Sequence, residues 1–279
     1  MKPSSSTERY IPMTTVESRV GKVVNNDIYC YTVQFVNICF IGSPQSEDGW
    51  VLIDAGTPKS SDVIINAAKL RFGEEAKPNA IILTHGHFDH VGTIFELLKV
   101  WDVPVYAHKL ELPYLTGKKD YPEPDPTVDG GMLAKISSIY PIEAIDLGNK
   151  VEALPDDGLI PGLSGWRWVH TPGHTEGHIS LFRDEDRAMI AGDAFITVKQ
   201  ESLLSVLTQH LDIHGPPRYL TTDWQTAWES VRKLEQLKPS VAVTGHGIPV
   251  NEEWLNENLA LLVKDFDKIA IPESGKYVN

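Results

Sequence analysis

The chain reads as a single α/β domain, and three observations lead there. After an initial β-rich stretch, strand-like apolar runs alternate with segments whose apolar residues recur at helical spacing. The 279 residues, 42% of them hydrophobic, can bury a large core and suit one big domain better than two independent ones. Several apolar runs also end in a glycine beside a His or Asp, so metal-type donors emerge at strand tips. Residues 26–270 are assigned to this domain, with 1–25 a polar, partly flexible extension and 271–279 a C-terminal tail.

Residues 28–41 and 50–53 read as strands, separated by the turn-forming Gly42-Ser43-Pro44-Gln45 and the acidic Glu47-Asp48-Gly49. Ser61 or Asp62 is placed to cap a helix running to about Phe72, which Gly73 ends. The strand Ala80-Ile81-Ile82-Leu83-Thr84 follows, then a helix over 91–101 and a short strand over 103–107. Residues 121–131, rich in Pro, Asp and Gly, form a loop rather than a linker between domains. The second half repeats the logic, with strands near 166–169, 179–182 and 188–191, a helix over about 224–237, a strand over 241–243 and a last helix near 252–266. Within it Trp224, Trp228, Leu234 and Leu237 share a helical face and are assigned to the core. No sequence repeat is visible.

His85-Gly86-His87-Phe88-Asp89-His90 directly follows the 80–84 strand, so four metal-competent side chains leave its end together. In extended chain, residues two apart point the same way, which lets His85 and His87 face one ion. A helix starting near Asp89 would fan Asp89 and His90 toward a second. Imidazole and carboxylate suit zinc, and also iron and manganese. Chance would produce this spacing on the order of once in a thousand chains with so many histidines. Three further segments combine glycine with one donor at the end of an apolar stretch: Thr171-Pro172-Gly173-His174, Ile190-Ala191-Gly192-Asp193 and Val243-Thr244-Gly245-His246.

With these seven donors the sequence resembles the metallo-β-lactamase-fold hydrolases, whose signature runs HxHxDH, His, Asp, His in this order and at roughly these separations; the resemblance covers about 26–254. It implies a four-layer αββα sandwich with the metals in a cleft between sheet edges. It implies that His85, His87 and His174 hold one metal, that Asp89, His90 and His246 hold the other, and that Asp193 bridges them. The expected cofactor is two Zn2+ per chain, with iron or manganese as alternatives. Asp54 matches a position that in the family orients a ligand histidine; capping a turn is its competing role. His170 and His178, flanking His174, are read as structural hydrogen-bonding groups because the ligand set is full without them. His108, His210 and His214 fall outside the motifs and are read as surface or loop histidines.

Two cations ~3.5–4 Å apart can bring a shared water's pKa toward ~7, leaving a bridging hydroxide as nucleophile against a polarised acyl carbonyl. Charge already in place then stabilises the oxyanion. Asp89, beside that hydroxide, can shuttle its proton to the leaving group. No Gly-x-Ser-x-Gly elbow is present to suggest a serine nucleophile. The expected function is hydrolysis of an ester, thioester or lactone bond of a small molecule; an iron-dependent oxidoreductase of the same fold, acting on persulfides or dioxygen, and a phosphodiesterase are the alternatives. The family's quorum-quenching lactonases carry a tyrosine three residues after the bridging Asp, where Ile196 stands here. Its glyoxalase II-type thioesterases hold glutathione with basic and Tyr residues in a C-terminal helical region; Lys264 and Lys268 lie in such a region, without a matching motif.

A net charge of −13 argues against a nucleic-acid partner, since binding phosphates needs clustered Lys and Arg and no such cluster appears. No apolar run approaches the ~20 residues that cross a bilayer, and Met1 to Arg9 lacks the apolar stretch of a secretory signal. Cys30 and Cys39, both in apolar strand-like segments, are read as buried thiols. The expected compartment is the cytosol, and the sequence leaves the oligomeric state open.

Overall fold

The computed structural model describes residues 14–129 and 131–278. Of the extension expected over 1–25, residues 1–13 lie outside the described residues, while its end forms strand β1 (Gly21–Val23). The β-rich opening is a hairpin of β2 (Ile28–Val33) and β3 (Val36–Ile41), turned at Gln34 in the left-handed region, followed by β4 (Val51–Ile53). The chain continues through helix α1 (Ser61–Phe72), β5 (Ile81–Ile82), α2 (Ile94–Trp101), β6 (Val105–Ala107), two short helices α3 (Leu112–Leu115) and α4 (Met132–Lys135), and β7 (Val151–Ala153). The second half runs β8 (Leu159–Ile160), β9 (Leu163–His170), β10 (Ile179–Arg183), β11 (Ala188–Gly192), α5 (Leu203–Thr208), α6 (Trp224–Gln236), β12 (Val241–Thr244), β13 (Val250–Asn251), α7 (Glu252–Lys264) and α8 (Phe266–Ile269).

These strands make a seven-stranded sheet in the order β1-β2-β3-β4-β5-β6-β7 and a six-stranded sheet in the order β13-β12-β11-β10-β9-β8. Ile28, Cys30, Cys39, Ile41, Ile53 and Ile82 of the first sheet meet Trp166, Ile179, Leu181, Ile190 and Val243 of the second in one apolar layer. The opposite face of the first sheet packs Ile38, Phe40 and Ile81 against Ile64 and Ala68 of α1 and Leu97 and Trp101 of α2. The second sheet covers its outer face with Trp224, Val231 and Leu234 of α6 and with Leu255, Leu259 and Phe266 of α7 and α8. Four layers, αββα, result. Burial on both faces explains why β4, β5 and β11 are apolar throughout rather than alternating.

The strands β4 to β7 pair in parallel, as do β11 and β12, so their carboxyl ends gather at one edge of each sheet. Asn37, buried between the sheets, ties these edges together: its amide donates to the carbonyls of Thr244 (2.9 Å) and Gly247 (2.6 Å), and its backbone N–H to Gly245 O (2.7 Å). Trp228 and Leu237 pack, partly buried, beside Trp224 and Leu234 as their spacing predicts. Cys30 and Cys39 are register partners in the β2–β3 hairpin and are buried free thiols. No helix among the described residues is long and apolar enough to cross a membrane.

The expected helix start near Asp89 is wrong. The N–H groups of His90 and Val91 both return to His87 O (2.9 and 3.1 Å), closing a turn, and α2 begins only at Ile94. Ser60, not Ser61 or Asp62, precedes α1, and its hydroxyl donates to Thr57 O (2.5 Å) instead of capping the helix.

Candidate metal centre

The donors arrive from the carboxyl ends of β5, β11 and β12 and from the β9–β10 connection. His85, His87, Asp89 and His90 leave β5, His174 comes from the loop after β9, Asp193 follows β11 and His246 follows β12. All seven are buried. His87 Nδ1 lies 3.0 Å from both His85 Nε2 and His174 Nε2, so three imidazoles turn ring nitrogens toward one point. Asp89, His90 and His246 form a second grouping whose donor atoms lie within 4.8 Å of one another, as do those of His85, His90 and Asp193. Asp193 sits between: its Oδ2 is 3.3 Å from His246 Nε2, 3.5 Å from His174 Nε2 and 3.6 Å from His90 Nε2.

Hydrogen bonds behind the rings fix which nitrogen faces inward. Asp54, at the tip of β4, takes the Thr84 N–H on Oδ1 (2.8 Å) and the Thr84 hydroxyl on Oδ2 (2.8 Å). Having donated there, the hydroxyl accepts from His85 Nδ1–H (3.1 Å), which leaves the His85 Nε2 lone pair free. Asp54 Oδ2 also accepts His90 Nδ1–H (2.8 Å). The expectation that Asp54 orients a histidine therefore describes its contacts: it holds His90 directly and reaches His85 through Thr84. Asp54 holds φ at 61°, a region that few non-glycine residues other than Asn and Asp occupy. Thr221 donates to Pro217 O (2.8 Å) and accepts His174 Nδ1–H (3.0 Å), and His246 Nδ1–H donates to Phe35 O (3.0 Å). Four rings thus present Nε2 and His87 presents Nδ1.

His178 is close to the cluster but not available to it. Its Nδ1–H faces Thr171 O (3.1 Å), and its Nε2 accepts the N–H of Asp193 (2.9 Å), so it holds the Asp193 backbone. Gly192 makes this possible, because a Cβ there would stand 2.6 Å from His178 Nε2. His170 bonds to Glu176 O (2.9 Å) and stacks on His108 at 4.1 Å. His214 pairs with Asp212 (2.9 Å), and His210 is exposed. None of these joins a donor grouping.

The chemistry of the cluster fits cations. Two buried atoms in it, His90 Nε2 and Asp193 Oδ1, have no hydrogen-bond partner, a costly state that a bound cation relieves. Burial pushes His85 and His174 well below the ordinary imidazole range and His87 to about 3, so their lone pairs are open. Burial acts the same way on His90 and His246, but the carboxylates of Asp193 and Asp89, with Asp54 at His90, outweigh it and raise both. Burial raises Asp89 as well, against the pull of His90 and His246. Beside Asp89, Phe88 stacks on Tyr140 (5.3 Å), which meets Tyr219 (5.6 Å). The buried Tyr140 hydroxyl has no partner.

Glu111 carries no mark in the sequence. It lies just beyond β6, wholly buried, with hydrogen bonds to both histidine-bearing loops of the first grouping. No neighbouring motif points to it; only the fold brings it there.

The model of the Metallo-beta-lactamase superfamily matches residues 31–246, and the chain belongs to that superfamily. The chain is 50% identical to a probable metallo-hydrolase, YflN, of Bacillus subtilis over 260 residues, 93% of this chain and 98% of the relative. Among solved structures it resembles TTHA1623 in a di-iron-bound form, with 25% identity, a TM-score of 0.51, and coverage of 80% of this chain and 93% of that one. It also shares its fold with the archaeal superfamily protein ST1585 from Sulfolobus tokodaii, at 23% identity and a TM-score of 0.56, over 91% of this chain and 85% of that one.

Proposed function

We propose that the protein is a hydrolase that uses two metal ions to cleave an ester, thioester or lactone bond of a small molecule. One observation carries this reading: seven buried donors converge in three overlapping groupings, among them the orphaned His90 Nε2 and the Asp193 carboxylate. His85, His87 and His174 would hold one ion, Asp89, His90 and His246 the other, and Asp193 both. Zinc suits this nitrogen and oxygen set, and the di-iron form of TTHA1623 keeps iron, with manganese, as an alternative. When bound, the ions supply an acidified water and a polarised substrate oxygen.

The chain's own residues do the rest. Asp54, Thr84, Thr221 and Phe35 O hold His85, His90, His174 and His246 in the tautomer that presents Nε2. Asp89, its pKa raised by burial, takes the proton of the attacking water and passes it to the leaving group. Phe88, Tyr140 and Tyr219 form an aromatic cluster beside Asp89, and the unpaired Tyr140 hydroxyl is its polar group placed to offer a hydrogen bond to a substrate oxygen. Elemental analysis of the purified protein, with a screen of ester, thioester, lactone and phosphodiester substrates, tests the reading. Metal-dependent turnover of one of the first three supports it; turnover of phosphodiesters alone, or none by fully loaded protein, refutes it.

A further inference from the structure

We propose that Glu111 is a positioning residue that binds the two loops of the first donor set into one rigid unit, and so sets the metal affinity of that set and not of the second. The inference rests on the ligand assignment above. One oxygen of the wholly buried carboxylate, Oε1, accepts the Gly177 N–H (3.0 Å) and the Thr175 hydroxyl, both in the loop that carries His174. The other, Oε2, accepts from the Tyr121 hydroxyl and from the Gly86 N–H (3.2 Å), which lies between His85 and His87. Tyr121 adds a further link, since its hydroxyl also receives the Gly86 N–H (2.9 Å) and its ring rests against His87 at 4.6 Å. Side chains are excluded at both glycines: a Cβ on Gly86 would stand 2.6 Å from the Tyr121 hydroxyl, and one on Gly177 2.7 Å from Glu111 N.

No contact of comparable kind runs from Glu111 to Asp89, His90 or His246 among the described residues. His90 is held by Asp54 and His246 by Phe35 O instead. Glutamine cannot replace Glu111 conservatively. Each carboxylate oxygen faces a backbone N–H, which can only donate, so either orientation of the amide sets its NH2 against a donor. A buried donor facing a donor pushes the two loops apart next to His87 and His174, whereas His90, farther along the same loop as His87, is anchored separately by Asp54.

The test is a Co2+ titration of metal-stripped parent, Glu111→Gln and Tyr121→Phe chains, following heat and visible absorption, with the melting temperature of each stripped protein. Partners behind a ligand are typically worth 10- to 100-fold in metal affinity. The expected result for Glu111→Gln is a loss of that size confined to one of two sites, the one that His174→Ala also weakens, with the other site within about threefold. Tyr121→Phe, which removes one donor and keeps the ring, should weaken the same site by a smaller factor and serves if the glutamine variant does not fold. A parent that binds two Co2+ with variants that lose both sites equally, or neither, overturns the role of Glu111 alone. A parent that binds fewer than two overturns the ligand assignment and this proposal with it.

Discussion

His87 faces His85 and His174 over 3.0 Å gaps, with the Asp193 carboxylate 3.5 Å from His174, whereas His90 and His246 stand among Asp54, Asp89 and Asp193. Burial, reinforced by the neighbouring imidazoles, governs the first trio against the pull of Asp193 and keeps it neutral; in the second group the carboxylates overcome burial and favour the proton. One fold edge therefore contains a set of donors ready for a cation and a set that must first give protons up. Under the proposed function the difference also assigns labour, since Asp89, the proposed proton carrier, belongs to the second set.

Asp89→Asn should break the comparison most visibly. It keeps the shape and one oxygen donor but removes the charge, so turnover at full metal occupancy should fall by ~10²- to 10⁴-fold, the usual worth of a placed proton carrier. Steady-state rates on reconstituted protein decide this; a loss of only a few-fold would leave Asp89 as a ligand and no more. Removing one histidine from each set is next. His174→Ala should weaken the first site, and His246→Ala the second, each by on the order of 100-fold. Both variants emptying the same site in a metal titration would contradict the division.

Acid should separate the sets without mutation. His90 and His246 have raised pKa values, so as pH falls from 8 to 6 more of each carries a proton that a cation must displace, and second-site affinity should fall by on the order of tenfold per unit for each proton displaced. His87, held to about 3, stays neutral throughout, so the first site should change little. Site-resolved titrations at three pH values would show it. The smallest effect expected is that of Tyr140→Phe: loss of one hydrogen bond to substrate, about 2- to 10-fold in turnover, with metal content unchanged.

Much of the centre is legible in the amino-acid sequence. Glycine and donor pairs at strand tips locate all seven cluster residues, because a donor at the carboxyl end of a buried strand has few other reasons to be there. Asp54 is legible through the resemblance, which matches it to a position that orients a histidine, and a ligand set complete without His178 leaves that ring to the structural role it holds. Local geometry that tertiary contacts decide is not legible. Residues 87–91 carry helix-compatible side chains, yet closing a turn on His87 O carries the chain around the cluster and delays α2 to Ile94. The edge strands β1, β8 and β13 are two or three residues long and carry too little pattern to stand out. Glu111 is invisible because its four partners lie 10 to 66 residues away in sequence.

The measurement that tests the central claim most directly is metal stoichiometry: stripped protein titrated with Zn2+ to saturation, bound metal counted per chain by mass spectrometry of the native protein. Two ions per chain, the second taken up with release of protons to the buffer, is the result predicted. A count that stays at one or below with zinc, and again with manganese and iron, would contradict the two-set centre.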